Sequence, residues 1–127
     1  MAAKWKQRLG VPSAPEWARG FAWYRVEYMT RAGTPLVDAA RPIIVLLTWL
    51  DARELLAPNG QAALAAARSG EYAGLAVARP MLVQEAAEFM DSAWAGWWDP
   101  YGADLIDKPD TEGDAVSALD LLWRRLG

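Results

Sequence analysis

The sequence contains no cysteine and no histidine, and both absences restrict what this protein of 127 residues can do. Without cysteine, the chain has no disulfide, no thiol nucleophile and no zinc or iron–sulfur site with cysteine ligands. Without histidine, it lacks the commonest general base near neutral pH and the imidazole metal ligand. A Ser-His-Asp hydrolase and a histidine-ligated zinc enzyme are therefore excluded for this chain. Carboxylate chemistry with a hard cation stays open.

Long apolar segments are also missing. The longest spans residues 42–50 and includes a threonine, whereas a transmembrane helix needs about 20 apolar residues. The chain starts with basic residues, and no apolar segment of the kind found in a secretory signal follows them. We therefore expect a cytoplasmic protein that does not interact with membranes.

Residues that prefer strands are few, since Val, Ile and Thr together number 14, against 25 Ala and 15 Leu. This balance favours helices. The length is close to the common size of one domain, and no repeat or linker divides the chain. We predict an all-α fold, a compact single-domain bundle of about five helices over residues 1–127. The helices are predicted at 14–32, 42–57, 61–69, 80–98 and 112–126.

Capping and turn residues set these boundaries. The segment 13–16 (Ser-Ala-Pro-Glu) has capping-box spacing and opens the first helix. Pro42 is expected to break any helical turn that precedes it, so the second helix starts there. The apolar run 43–50 suits either a fully buried helix or an internal strand. We choose a central helix because the residues after it are strong helix formers.

Charge is distributed unevenly along the chain. Residues 1–31 carry six basic and two acidic side chains, whereas residues 84–120 carry ten acidic side chains and one lysine. Lys4, Trp5 and Lys6 interleave cations with a ring, as in some nucleic-acid-binding segments. We do not expect nucleic-acid binding, because the acidic part would repel a duplex. Residues 1–12 are interpreted as a flexible basic arm.

Three aromatic residues do not fit the predicted core. Trp23 points away from the apolar face of the first predicted helix, Trp98 lies at the edge of the apolar half of the fourth, and Tyr101 follows in a turn. Either the bundle buries both sides of these helices, or the rings are anchors for a partner. On the second interpretation, the partner-binding residues are Trp23, Trp98, Tyr101, Asp104, Asp107 and Asp110.

Arg25 falls within the apolar arc of the first predicted helix. A guanidinium group in such a place needs an acceptor. We expect a buried pair with an Asp or Glu of another helix, or a bond to a backbone carbonyl. The alternative is an arginine that binds a substrate.

Two acidic pairs offer the alternative of an enzyme. Glu85 and Glu88 are spaced Glu-x-x-Glu, and Asp107 and Asp110 follow as Asp-x-x-Asp. This spacing is similar to that of the all-α nucleoside triphosphate pyrophosphohydrolases of the MazG type, over 26 residues of the chain. The resemblance implies that these four carboxylates hold Mg²⁺. Pro109 lies inside the second pair, where that family has an uninterrupted helix.

The leading hypothesis is a non-catalytic protein–protein interaction module, such as a small adaptor, an inhibitor or an assembly component. It would bind a protein partner through the aromatic anchors and the acidic flank, without a cofactor. Homo-oligomerisation through the same aromatic residues is also permitted. The alternative is a Mg²⁺-dependent nucleoside triphosphate pyrophosphohydrolase.

Overall fold

α-Helices make up most of residues 22–126, the part of the chain that this computed structural model describes. The sheet within these residues has only two short strands, and the predicted all-α class is confirmed. The predicted basic arm at 1–12 and the start of the predicted helix at 14–32 lie outside the described residues. The elements in chain order are β1 (Ala22–Arg25), α1 (Val26–Thr30), α2 (Leu36–Ala52), α3 (Pro58–Arg68), β2 (Ala76–Ala78), α4 (Gln84–Trp97), α5 (Asp104–Asp107) and α6 (Glu112–Leu126).

Strand β1 shows that the prediction of one helix over 14–32 is wrong. The strand pairs antiparallel with β2, and Arg25 stands opposite Ala76. Helix α1 is left with only five residues. Aromatic residues such as Trp23 and Tyr24 fit a strand well. Pairing with a segment far along the chain therefore outweighs the helical spacing of the aromatic residues.

Helix α2 lies at the centre of the fold and packs against α1, α3, α5, α6 and β2. It starts at Leu36 and continues through Pro42, so the predicted start at Pro42 is wrong. Proline removes one intrahelical hydrogen bond, but Pro42 is buried among neighbouring elements that hold the helix together. The apolar run 43–50 is helical. Its lack of a polar face follows from packing on several sides.

Helices α3 and α6 lie close to their predicted positions. The bounds of α6 agree with the helix predicted at 112–126. Helix α3 begins at Pro58, slightly before the predicted 61–69. Proline suits the first turn of a helix because its missing N–H would have no partner there.

Helix α4 is shorter than the predicted 80–98 at its start. Residues Arg79–Met81 form a 3₁₀ turn, and Leu82 then pairs with Leu56 in an isolated β-bridge. The α-helix therefore begins only at Gln84. At its other end, the chain continues as a π-helical turn over Trp98–Gly102.

Two groups of aromatic rings fill the core. In the first, the ring of Trp98 lies 4.5 Å from that of Tyr24 and stacks on Trp94 at 5.1 Å, measured between ring centres. Such pairs add about 0.5–1.5 kcal/mol each beyond the burial of their area. The second group joins α2, α4 and α6 through Trp49, Phe89 and Trp123.

Tyr24 makes the stability of this core decrease at alkaline pH. Its buried hydroxyl donates a 2.9 Å hydrogen bond to the carbonyl oxygen of Ala39. Burial raises the pKa of the Tyr24 hydroxyl, and the nearby Glu27 carboxylate raises it further. In the unfolded chain, a tyrosine ionises at about pH 10. Above that pH the unfolded state binds fewer protons than the folded state, so the free energy of unfolding falls.

We therefore expect the free energy of unfolding to decrease with a steeper slope above about pH 10 in the wild type than in Tyr24→Phe. The variant loses the hydrogen bond at every pH, which costs about 1 kcal/mol, but it has no proton to release at this position. Urea unfolding between about pH 9 and pH 11 measures both slopes. Equal slopes would contradict the role assigned to Tyr24.

Candidate functional site

The segment 98–114, which we call the acidic segment, is rich in exposed carboxylates. It consists of the π-helical turn, α5, the 3₁₀ turn Pro109–Thr111 and the start of α6. It has one basic residue, Lys108. All six of its acidic side chains are exposed, namely Asp99, Asp104, Asp107, Asp110, Glu112 and Asp114.

Gly102 anchors the acidic segment to the aromatic core. A Cβ atom at this buried position would lie 2.7 Å from Cζ3 of Trp97 and 2.9 Å from Cε3 of Trp98. The backbone therefore rests directly on the two rings, an approach that only glycine allows. The amide of Ala103 donates to the Trp98 carbonyl oxygen at 2.9 Å and closes the turn.

Arg41 of α2 holds α5 from the other side. Its Nη1 donates to the carbonyl oxygens of Leu105 at 2.8 Å and Ile106 at 2.9 Å. Its Nη2 donates to Oδ1 of Asp38 at 2.7 Å. These carbonyls belong to the last turn of a short helix, where intrahelical partners are missing. Arg41 thus satisfies them and fixes α5 against α2.

A small cleft of about 120 Å³ opens within the acidic segment. We call it the Tyr101 cleft. The ring of Tyr101, 37% exposed, forms one wall. The described residues that line the cleft are Pro100, Tyr101, Asp104, Thr111 and Asp114. An aromatic ring beside two carboxylates is suited to an ammonium or guanidinium group, because both attract a cation.

The predicted partner-binding residues are only partly brought together. Tyr101 and Asp104 line the cleft, whereas Asp107 and Asp110 are exposed on the same segment outside its lining. Thr111 and Asp114 also line the cleft and were not among the predicted residues, because only the packing of the start of α6 beside the turn places them there.

Trp23 and Trp98 are not surface anchors, and their predicted exposure is wrong. Trp23 is 1% exposed and Trp98 is 3% exposed. Trp23 belongs to a strand rather than a helix, so the face calculated for it at helical spacing does not exist. Its ring is covered by the guanidinium carbon of Arg79, 5.3 Å from the ring centre. Trp98 stacks within the first aromatic group.

The four carboxylates of the alternative magnesium site do not assemble. Among residues 22–126, no three acidic side chains are arranged to hold a metal ion. Glu85 and Glu88 lie in the first turns of α4, which is about 20 Å long at 1.5 Å per residue. Asp107 and Asp110 follow the opposite end of that helix, on either side of Pro109. The interrupted helix and the length of α4 therefore separate the two pairs.

Comparison of the chain with protein-family models, with curated proteins and with solved structures finds no match. Within residues 22–126, no helix combines the length and the apolar character needed to cross a membrane.

Proposed function

We propose that this protein is a non-catalytic interaction module that binds a basic surface of a protein partner through its acidic segment. A lysine or arginine side chain of the partner enters the Tyr101 cleft. The observation that carries the proposal is a cleft with an exposed aromatic ring and two carboxylates, within a segment that carries six exposed carboxylates. An adaptor, an inhibitor and an assembly component would all use such a surface.

Charge supports recognition at a distance. Six carboxylates and one lysine in 98–114 create a strongly negative field on one part of the surface. Such a field accelerates the encounter with a positive surface and rejects negative ones. Because these groups are exposed, salt screens them over about 8–10 Å. Binding should therefore weaken as the salt concentration rises.

Rigidity supports affinity. Gly102 lies directly on the buried rings of the core, and Arg41 fixes the carbonyls of α5. The segment is therefore held in one conformation before a partner arrives. A surface that is already ordered loses less conformational entropy on binding than a loop that must become ordered.

Removing the two carboxylates of the cleft tests the proposal. We expect Asp104→Asn/Asp114→Asn to reduce partner binding by about tenfold or more, because losing both contacts to the cation should cost about 1.4 kcal/mol or more in total. The immobilised protein is incubated with lysate of the cells that produce it, at about 50 mM and about 500 mM salt. Bound proteins are then quantified by mass spectrometry.

Glu85→Gln/Glu88→Gln is the matched control. It also removes two exposed charges, but from α4 rather than from the acidic segment. This variant should retain the partner that the cleft variant loses. Equal capture by both variants, or no specific capture by the wild type, would contradict the proposal. Light scattering on the purified protein shows whether the partner is a second copy of the chain.

A further inference from the structure

A second and larger cavity, of about 310 Å³, lies between the two-stranded sheet and α3. It shares no lining residue with the Tyr101 cleft. Its volume falls at the lower end of the range for small-molecule sites, about 300–1,000 Å³. Its described walls include Ala63 and Ala66 of α3, Ala76 and Ala78 of β2, and two charged residues, Arg25 and Glu71. We call it the Arg25 cavity.

Arg25 differs from the other half-buried arginines of residues 22–126. Three of these contact a carboxylate, whereas the side chain of Arg25 makes no hydrogen bond or ion pair with the residues that the structure describes. The predicted structural pair for Arg25 is therefore not found among residues 22–126, because the residue lies at the end of a strand and lines a cavity between the sheet and α3. The three pairs are Arg41 with Asp38, Arg53 with Asp120 and Arg79 with Asp91.

An unpaired guanidinium beside a cavity is suited to a carboxylate ligand. The group has five N–H donors and no acceptor, in a planar arrangement that matches the two oxygens of a carboxylate. Within the described residues, Glu71 is the only acid that lines the cavity, and it makes no ion pair with Arg25. Both charged groups are thus available on the walls of one cavity.

Small side chains line much of the rest of the cavity. Arg25 stands opposite Ala76 in the ladder, so its neighbour across the sheet is only a methyl group. Ala63 and Ala66 face the cavity from α3 at a spacing of one helical turn. This part of the wall is therefore apolar, and it leaves room for an aliphatic group.

We propose that the Arg25 cavity binds a small zwitterionic amino acid with an aliphatic side chain. Its carboxylate pairs with Arg25, its ammonium group pairs with Glu71, and its side chain packs against the alanines. A simple carboxylate would satisfy Arg25 but leave Glu71 unused, and a dianion such as phosphate would be repelled by Glu71.

NMR titration of the wild-type protein tests this assignment with three related probes. L-valine carries both charged groups, isovalerate lacks the ammonium group, and isobutylamine lacks the carboxylate. We expect saturable shifts of the cavity amides with L-valine, weaker ones with isovalerate and none with isobutylamine. Inorganic phosphate is the fourth probe and is expected to cause no saturable shift. No saturable shift with L-valine at about 10 mM would overturn the proposal, since that excludes even millimolar affinity.

Three variants test whether Arg25 binds the carboxylate of L-valine and Glu71 its ammonium group. Arg25→Gln should weaken L-valine binding by about tenfold or more, because a charge-assisted hydrogen bond is lost. Arg31→Gln removes the same charge at an exposed position after α1 and should bind like the wild type. Glu71→Gln should weaken L-valine but not isovalerate. This last comparison keeps the test valid if Arg25→Gln does not fold.

Unchanged L-valine affinity in Arg25→Gln would overturn the site. Unchanged L-valine affinity in Glu71→Gln, or isovalerate binding as tight as L-valine, would overturn the assignment to an amino acid. Saturable binding of phosphate would do the same. Because the cavity and the Tyr101 cleft share no residue, these outcomes leave the proposed protein-binding function to its own experiment.

Discussion

Replacing Trp97 by alanine is expected to lower the free energy of unfolding by about 3–5 kcal/mol. The indole is 1% exposed, so its removal leaves a large cavity in the core. Its Nε1 donates a 2.9 Å hydrogen bond to the carbonyl oxygen of Ala115 in α6. The variant would also lose this buried hydrogen bond, which adds to the cost. The ring also supports Gly102 and hence the whole acidic segment.

Urea unfolding followed by circular dichroism measures the effect. Trp97→Phe keeps an aromatic ring but lacks the N–H donor, and we expect it to lose about 1–3 kcal/mol. Leu121→Ala is the surface control, because this residue is 43% exposed and such changes usually stay within about 0.5 kcal/mol. A loss in Trp97→Ala as small as that in Leu121→Ala would show that the ring does not hold the core together.

Gly60→Ala is the second substitution with a large expected effect. It should destabilise the protein, whereas most replacements of glycine by alanine within a helix stabilise it. A Cβ atom at Gly60 would lie only 2.2 Å from the carbonyl oxygen of Met81 and 3.1 Å from Cδ2 of Leu56. The Met81 oxygen cannot move freely, because it accepts the amide of Ala57 at 2.9 Å. Relief of the contact would shift α3 away from the 3₁₀ turn. We expect a loss of about 1–3 kcal/mol or more.

Gly96→Ala is the matched control for this prediction. Gly96 lies in α4, and a Cβ atom there would meet nothing within 4 Å. Alanine should therefore stabilise the protein by about 0.5–1 kcal/mol, since glycine has the greater conformational entropy in the unfolded chain. In thermal unfolding, the melting temperature should fall in Gly60→Ala and rise in Gly96→Ala. A shift of the same sign in both would refute the contact argument.

The helices could be predicted where local signals agreed with the tertiary structure. For α6, the spacing of apolar residues and the acidic first turn both favoured a helix at 112–126, and the structure has it there. Pro42 is a local signal that the packing of α2 outweighs. The strand β1 had no reliable local signal, because its hydrogen-bonding partner β2 lies far along the chain.

The exposure of side chains could likewise be predicted only where local signals agreed with the tertiary structure. Tyr101 and Asp104 lie in a turn and a short helix, where composition alone indicates exposure, and they line one cleft. For Trp23 and Trp98, exposure depended on which face of an element each ring occupied. Trp23 is in a strand, and Trp98 is at the first residue of a π-helical turn. Faces assigned from α-helical spacing therefore could not predict whether either ring is buried.

The helical class and the exclusion of cysteine and histidine chemistry follow from composition and local preference. Which charges meet and which rings are buried depends instead on the packing of distant segments. That packing separates the two acidic pairs by the length of α4, and it leaves Arg25 beside a cavity with no carboxylate partner among residues 22–126. The physical reason is that burial and charge pairing depend on contacts between distant segments, which a periodic pattern does not specify.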